Sequence, residues 1–276
     1  MQLAYLKMQG AGNQIVVVDQ RHTGTLPPPP EVLRRLASAQ TGPGFDQLMW
    51  LSSAEDSLAA ASYRVFNADG TEVEQCGNGI RCIVWMLARE NPGQQQFRLE
   101  GPAGPVDARV RDDGLVAVNM GPPQFDPACV PFVTGAEAER YSLEVGEETF
   151  DVAVLSMGNP HCVLEVDDVA TANVGRLGPL IERHPRFPAR ANVGFMAYRD
   201  RTRIDLRVHE RGVGETQACG TGACAAVVAG RRAGRLDDGV RVQLPGGQLV
   251  VSWPGSTEAV WLTGNAELIS EGTVDL

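Results

Sequence analysis

The segment EQCGNGIRC, residues 74–82, places a cysteine between polar residues and glycines, directly before an apolar run. Much further along the chain, residues 216–226 read TQACGTGACAA, and the same Cys-Gly-x-Gly core again precedes an apolar run. After the first cysteine, apolar residues at positions 80, 83, 84 and 87 keep the spacing of one helix face. The two segments therefore predict the same local structure twice: a polar turn, a cysteine and then a buried helix.

The similarity between the two segments extends along the chain. A shift of 143 residues pairs Cys76 with Cys219. The same shift also pairs Arg64 with Arg207, Val65 with Val208, Glu72 with Glu215, Gly77 with Gly220 and Gly79 with Gly222. Strand-like segments separated by turn residues occur in both halves, and the turn-rich segment 121–131 lies between them. The pattern predicts an internal duplication.

Length, composition and charge set the class of protein. With 276 residues, 43% of them hydrophobic and 21% charged, the chain is expected to form one or two soluble globular domains. A formal net charge of −10 argues against nucleic acid and against anionic membrane surfaces as partners. No apolar run approaches the ~18 residues of a membrane-spanning helix, and the first residues lack a signal-peptide layout. A cytoplasmic protein is predicted, in which the six cysteines stay reduced.

Several cofactor sites are disfavoured by residue counts and spacings. Lys7 is the only lysine and is followed by Met8, so the chain has no phosphate-binding Gly-Lys-Ser/Thr motif and only one residue that could bind pyridoxal phosphate. The segment GAGNQI, residues 10–15, lacks the third glycine of a dinucleotide-binding loop. The cysteine spacings miss the Cys-x2-Cys pattern of zinc sites. We expect neither a cofactor nor a metal, and an enzyme of this sequence would use its own side chains as reagents.

Two cysteines at two helix starts suggest a particular chemistry. A helix start presents unpaired N–H groups and a positive dipole end, which favour a thiolate and bind a carboxylate. A carboxylate held between two such starts would have its α-carbon between two thiols. One thiolate could then remove the α-proton while the opposite thiol returns a proton to the other face. Inversion requires two acid/base groups on opposite sides, and a duplicated fold supplies them.

The other four cysteines are expected to be structural, and a cysteine hydrolase is disfavoured. Buried cysteines are usually small core residues. Structural roles are therefore assigned to Cys82, Cys129, Cys162 and Cys224. A cysteine hydrolase with His161 or His209 as its base would leave the second matched cysteine without a function.

Six motifs occur along the chain: GNQIVVVD (12–19), GFDQLM (44–49), NADGTEVEQCGNGIRC (67–82), MGNPHCV (157–163), NVGFM (192–196) and HERGVGETQACGTGACA (209–225). Together they resemble the motifs of the diaminopimelate epimerase family. The resemblance implies an α/β fold of two pseudo-twofold-related halves, each a β-sheet wrapped round a central buried helix, with the active site in the cleft between them. It implies a first half of residues 1–120 plus about 265–276, and a second half of about 121–264.

The function implied by the resemblance is that of a pyridoxal-independent isomerase. The enzyme would interconvert LL- and meso-2,6-diaminopimelate by thiolate/thiol proton transfer, in lysine and peptidoglycan precursor synthesis. Diaminopimelate would be its small-molecule partner, and it would need no cofactor. The sequence leaves the oligomeric state open, and the resemblance admits a homodimer.

The resemblance also implies roles for individual residues. Cys76 and Cys219 are the implied acid/base pair, and His161 and Glu210 would tune the pKa values of their thiols. The implied substrate contacts are Asn13, Gln47, Asn67, Gly77, Asn78, Asn159, Asn192, Glu210, Arg211, Gly220 and Thr221. The first motif departs from the family pattern His-Gly-x-Gly-Asn-Asp-Phe, because Gln9, Gln14 and Ile15 replace its histidine, acidic and aromatic residues. This departure bears on the shape of the pocket wall beside Asn13.

Two alternative functions remain open on the sequence. A proline or hydroxyproline racemase-type enzyme of the same fold would also use paired cysteines, although Asn67, Asn159, Asn192 and the Glu210-Arg211 pair favour diaminopimelate. An inactive amino-acid-binding protein would have no use for two matched thiols. Stereochemical assays with each substrate separate these alternatives.

Overall fold

A computed structural model describes residues 2–276 of the chain, which form two compact units. The first unit contains Met1–Asn119 and Thr263–Leu276, and the second contains Met120–Leu262. The mixed α/β class expected from the sequence is confirmed. Over residues 2–276, none of the helices is both long and apolar enough to cross a membrane.

The elements follow each other in the same order twice, and the second series has one additional strand at its start. The first series is β1 (Gln2–Gly10), β2 (Asn13–Asp19), α1 (Pro30–Ala37), β3 (Gln47–Ser52), β4 (Ala61–Asn67), β5 (Glu72–Val73), α2 (Gly77–Glu90), β6 (Gln96–Gly101), β7 (Gly104–Val110) and β8 (Val116–Asn119). The second is β9 (Tyr141–Val145), β10 (Glu148–Ser156), β11 (Pro160–Glu165), α3 (Val174–Glu182), β12 (Asn192–Asp200), β13 (Arg203–Glu210), β14 (Gly214–Thr216), α4 (Gly220–Arg232), β15 (Gly239–Leu244), β16 (Gly247–Ser252) and β17 (Trp261–Gly264). Strand β18 (Glu267–Asp275) completes the chain's elements.

In the first unit, α1 connects the parallel strands β2 and β3. Strand β4 runs antiparallel to β3 and parallel to β6, while β1 pairs with both β2 and β18. Residues 15–18 of β2 are all buried, as expected for a strand covered on both faces. Helix α2 packs on β1, β2, β3, β7 and β8 through the apolar face predicted from its sequence, which includes the fully buried Ile80 and Ile83.

The second unit repeats these connections. Helix α3 connects the parallel strands β11 and β12, and β13 runs antiparallel to β12 and parallel to β15. Helix α4 packs on strands β10–β13, β15 and β16, and residues 223–228 within it are fully buried. Small residues fill this helix, so its backbone can lie close to the strands. The internal duplication predicted from the cysteine segments is therefore visible as a duplicated topology.

Several elements were not predicted from the sequence: the short β5 and β14, the strands β9 and β18, and helix α3. Helix α3 contains Gly175, Gly178 and Pro179, which are typical of turns. The structure gives a reason for one of these glycines. A Cβ atom on Gly178 would lie 2.6 Å from Cγ of His209, so the glycine lets the imidazole ring pack against the helix.

Candidate functional site

Both matched cysteines are the N-cap residues of the buried helices. Cys76 has an extended backbone before α2, and its Sγ accepts a hydrogen bond from the N–H of Gly79 at 3.2 Å. Cys219 has the same conformation before α4, and its Sγ accepts from the N–H of Gly222 at 3.3 Å. Each sulfur therefore binds an N–H group of the first helical turn, as the N-cap oxygen of serine or aspartate does. The position predicted for the two thiols is confirmed.

The glycine three residues after each cysteine allows close packing of the helix start. A Cβ atom on Gly79 would lie 2.3 Å from Sδ of Met49 on strand β3. One on Gly222 would lie 3.0 Å from Cγ2 of Val208 on strand β13. The Cys-Gly-x-Gly pattern thus holds each thiol against the strands of its own unit.

In the first unit, Cys76 joins two residues of the predicted substrate site. Gln47 begins β3 and Asn67 ends the antiparallel β4, and the two residues are partners in register. The Cys76 thiol donates to Oε1 of Gln47 at 2.6 Å, and Nε2 of Gln47 donates to Oδ1 of Asn67 at 3.1 Å. Nδ2 of Asn67 in turn contacts Oγ1 of Thr71 at 3.3 Å. These contacts fix the orientation of both amides around the thiol.

Asn13 and Asn78 are the other predicted amides of the first unit. Asn13 begins β2, and its Oδ1 is buried with no hydrogen-bond partner within residues 2–276. A buried acceptor without a partner is costly, and a ligand that donates a hydrogen bond would satisfy it. Asn78 lies in the first turn of α2, and its Oδ1 accepts from the fully buried guanidinium of Arg81 at 2.8 Å. This contact fixes the orientation of the Asn78 amide at the helix start.

In the second unit, Cys219 adjoins a carboxylate. Its sulfur lies beside Glu210, at the end of β13, and Oγ1 of Thr216 donates to Oε1 of this carboxylate at 2.5 Å. Burial and the negative charge of Glu210 raise the pKa of Cys219 well above its usual value, although contacts with Thr221 and the Gly222 N–H act in the opposite direction. The lowered pKa expected at a helix start is wrong for Cys219, because burial outweighs the cap. Its resting form is the thiol.

A chain of hydrogen bonds links Cys219 to His161. Oγ1 of Thr221 lies 3.5 Å from the sulfur and 3.4 Å from Nδ2 of Asn159, whose Oδ1 accepts from Nε2 of His161 at 2.8 Å. Burial, assisted by the charge of Arg211, lowers the pKa of His161 to about 3, so the ring is neutral near pH 7. His161 is therefore connected to the thiol through two intermediate side chains and is not a cation.

Asn192 and Arg211 contact each other in the second unit. Oδ1 of Asn192 accepts from the backbone N–H of Arg211 at 2.9 Å, and its Nδ2 donates to the carbonyl of Pro160 at 3.2 Å. The guanidinium of Arg211 is half-buried and donates to the carbonyl of Ala189 at 3.3 Å. Asn192 thus fixes the turn that carries Arg211, a role that the sequence did not indicate.

Gly77 and Gly220 are the first residues of the two helices, where N–H groups precede the intrahelical hydrogen bonds. The first intrahelical bonds come from Ile80 and Ala223. Each helix start therefore presents N–H groups that suit a carboxylate. Within residues 2–276, no three His, Cys, Asp or Glu side chains are grouped as metal ligands.

Two residues that hold predicted site residues in place were missed by the sequence interpretation. Thr216 fixes the carboxylate of Glu210, and Arg81 fixes the amide of Asn78. A signal for Arg81 existed: a charged residue within an otherwise apolar buried helix requires polar partners. Thr216 carried no such signal, because threonine in a turn is ordinary.

The sequence matches the model of a protein family and is similar to several known proteins. The model of the diaminopimelate epimerase family matches residues 5–126 and 153–269. A diaminopimelate epimerase from Laribacter hongkongensis is 50% identical over 280 residues, covering 100% of both chains. One from Thioalkalivibrio sulfidiphilus is 49% identical over 279 residues, again with complete coverage of both chains.

Solved structures with a similar fold are more distant in sequence. A hydroxyproline epimerase from Agrobacterium vitis has a TM-score of 0.72 at 18% identity, covering 99% of this chain and 91% of that one. A probable proline racemase from Agrobacterium radiobacter K84 has a TM-score of 0.73 at 19% identity, covering 99% and 93%. At these identities the likeness concerns the fold alone.

Proposed function

Because the chain belongs to the diaminopimelate epimerase family, we propose that it interconverts LL- and meso-2,6-diaminopimelate by moving the α-proton between two thiols. The observation that carries the proposal is the repeated cap, in which Cys76 and Cys219 each hold their sulfur at the start of a buried helix. Racemases of the proline type are not favoured, since the relatives at 46–50% identity are diaminopimelate epimerases.

The acid/base chemistry follows from the groups around each thiol. One cysteine, as the thiolate, removes the α-proton, and the other thiol protonates the opposite face of the resulting carbanion. The two sulfurs exchange protonation states in each turnover, so either direction of the reaction is served. Near Cys219, the carboxylate of Glu210 can take the thiol proton and so generate a thiolate when the enzyme needs a base.

Substrate recognition is proposed from the polar groups of each unit. The N–H groups at the helix starts, including those of Gly77 and Gly220, suit the carboxylate beside the reacting carbon, since its negative charge grows during deprotonation. Arg211 suits the distal carboxylate because its guanidinium forms a fork of donors. The buried Oδ1 of Asn13 accepts from a substrate ammonium. The remaining proposed contacts are the backbone N–H of Thr221 and the side-chain amides of Gln47, Asn67, Asn78, Asn159 and Asn192.

The direct experiment offers LL-diaminopimelate and L-proline separately to the purified protein and follows the stereochemistry of each by chiral chromatography. Epimerisation of diaminopimelate alone is expected, without added pyridoxal phosphate or metal and unaffected by a chelator. Turnover of proline alone would replace the proposal by the racemase alternative. Binding of diaminopimelate, measured by thermal shift, without any turnover would identify an amino-acid-binding protein.

The proposal also covers the cellular location of the enzyme and its oligomeric state. We place the enzyme in the cytoplasm, where its thiols remain reduced, and assign it to lysine and peptidoglycan precursor synthesis as its family implies. A homodimer is the assembly that the family resemblance admits. Light scattering measures the molar mass of the purified protein, which is then compared with the 29.6 kDa of one chain.

A further inference from the structure

A buried carboxylate lies outside the proposed reacting groups, at the end of α3. Glu182 is the last residue of this helix and only 2% of it is exposed. A negative charge is unfavourable at the C-terminal end of a helix dipole, and its burial adds a desolvation penalty. The side chain is nevertheless fully engaged in hydrogen bonds, which indicates that its position serves a purpose beyond packing.

The two oxygens of Glu182 bind the residues on either side of Glu210 and Arg211. Oε2 accepts from Nε2 of His209 at 2.9 Å, and Oε1 accepts from the backbone N–H of Gly212 at 2.8 Å. One carboxylate therefore holds both ends of the two-residue segment that carries the proposed thiol-tuning and carboxylate-binding side chains. Burial alone would raise the pKa of Glu182, but these two hydrogen bonds and the charge of Arg190 lower it, so the group is ionised.

Neighbouring contacts add to this arrangement. Arg190 Nη1 lies 3.3 Å from Oε1 of Glu182. The carbonyl of Glu182 accepts from the N–H of Ala191, directly before Asn192, whose Oδ1 binds the Arg211 N–H. Gly178, one helical turn before Glu182, leaves room for the His209 ring, since any Cβ would lie within 3 Å of it. The end of α3 is thus shaped to receive this histidine.

We propose that Glu182 is a positioning residue, which through His209 and Gly212 holds the Glu210–Arg211 segment in the geometry that catalysis and substrate binding require. The proposal rests on the proposed function, because it assigns Glu182 a role through residues of that site. Glu182 itself touches none of the reacting atoms. A misplacement of about 1 Å in a catalytic segment can lower the rate about 10²-fold, so such a support has a measurable effect.

The test compares three substitutions that differ in length and hydrogen-bonding capacity. Glu182→Gln keeps an acceptor for Gly212, and its amide can donate to Nε2 of the other His209 tautomer, so kcat/KM is expected within about threefold of wild type. Glu182→Met fills the same space without an acceptor and is expected to lose about 10- to 100-fold in kcat/KM. Glu182→Asp keeps the charge but withdraws it by one methylene, and an intermediate loss is expected.

Leu143→Ala is the matched control for stability, because Leu143 is fully buried in the second unit's core, which α3 also helps to form. It should lower Tm without a comparable loss in kcat/KM when assayed well below Tm. A loss of activity in Glu182→Met no larger than that of this control would overturn the proposal. If Glu182→Met does not fold, Glu182→Asp decides, and full activity of that folded variant would equally overturn it.

Substrate binding distinguishes positioning from general damage. Calorimetric affinities for diaminopimelate are measured for Glu182→Met, Arg211→Ala and the double variant. If Glu182 acts through the Arg211 segment, the double variant should bind little more weakly than Arg211→Ala alone. Additive losses would show that Glu182 acts elsewhere. If wild type neither binds nor turns over diaminopimelate, the proposed function fails, whereas normal wild-type activity with an unaffected Glu182→Met removes only the present inference.

Discussion

The two units place a thiol in the same backbone setting but beside different side chains. Cys76 donates to the amide oxygen of Gln47, whereas Cys219 lies beside the carboxylate of Glu210. An amide can hold the thiol proton but cannot take it, while a carboxylate can do both. The duplication has thus kept the cap that fixes each sulfur, and the two halves differ in the side chain beside each thiol.

Corresponding positions show where this divergence arose. Glu210 ends β13 as Asn67 ends β4, so one half has a carboxylate where the other has an amide. His161 faces Asn192 in register as Ile15 faces Gln47, so the second half also has a polar ring in place of an aliphatic side chain. The ionisable groups around the thiols are therefore concentrated in the second unit. A duplicated scaffold can therefore place two equivalent thiols in electrostatically unequal surroundings.

The largest loss of activity is expected when either thiol is removed. Cys76→Ala and Cys219→Ala are each expected to lose at least about 10²- to 10⁴-fold in epimerisation, because inversion needs a group on each face. The losses should be non-additive in the double variant, since either deletion interrupts the same proton transfer. Chiral chromatography of diaminopimelate checks the rates. Near-normal turnover by Cys76→Ala would indicate a one-base mechanism. It would also show that the two halves are not functionally equivalent.

Exchanging the acceptors of the two halves should have the next largest effect. Glu210→Gln removes the charge that raises the pKa of Cys219, so this pKa should fall, while kcat/KM drops about 10²-fold through loss of the local base. Gln47→Glu introduces a carboxylate beside Cys76 and should raise the pKa of that thiol. Alkylation by iodoacetamide as a function of pH, quantified for each cysteine by mass spectrometry, measures both shifts. Shifts of the same sign in the two variants would contradict the assigned acceptors.

A smaller effect is expected from the hydroxyl beside Cys219. The hydrogen bond from Thr221 lowers the pKa of this thiol, so Thr221→Val should raise it, opposite in sign to Glu210→Gln. Activity should fall less than about tenfold, because the proposed substrate contact of Thr221 uses its backbone N–H and the hydroxyl contributes one hydrogen bond of about 1 kcal/mol. The exposed Thr202→Val is the control for threonine loss and should change neither quantity. A loss as large as that of Glu210→Gln would assign the hydroxyl a direct catalytic role.

The smallest effects are expected at the cysteines inside the helices. Burial raises the pKa of Cys82 to about 12, so this thiol stays protonated and should resist alkylation in the folded protein. Cys82→Ala and Cys224→Ala should each reduce the free energy of unfolding by about 1 kcal/mol and leave kcat/KM unchanged. Chemical denaturation and the epimerase assay measure the two quantities. A substantial activity loss in either folded variant would show that the helix interior also takes part in catalysis.

The sequence predicted the parts of the fold that follow from local pattern. The buried helices after Cys76 and Cys219 and most strands were found because their periodicities are strong. Helix α3 was missed, because Gly178 and Pro179 are typical of turns and the reason for the glycine is a contact with a distant histidine. The duplication itself contained the missing signal, since α1 occupies the same place between the parallel strands of the first half.

The candidate site was predicted in its residue types but not in its electrostatics. Motifs and resemblance gave Cys219 and Glu210, yet the expected low pKa of the thiol was wrong. Helix-start N–H groups can be inferred from sequence, whereas the degree of burial that opposes them depends on tertiary packing. The same limit hid Glu182, whose carboxylate meets His209 and Gly212 only once α3 has packed on the sheet.

Strand β18 has a consequence for how the protein is made. Its residues pair with β1 along nearly the whole strand, so the first unit recruits its last strand from a segment synthesised after the entire second unit. During translation, β1 is paired with β2 but presents an open edge until residues 267–275 emerge, while the continuous second unit can already fold. We therefore expect nascent chains that stop near residue 262 to contain a protease-resistant second unit beside a protease-sensitive first one.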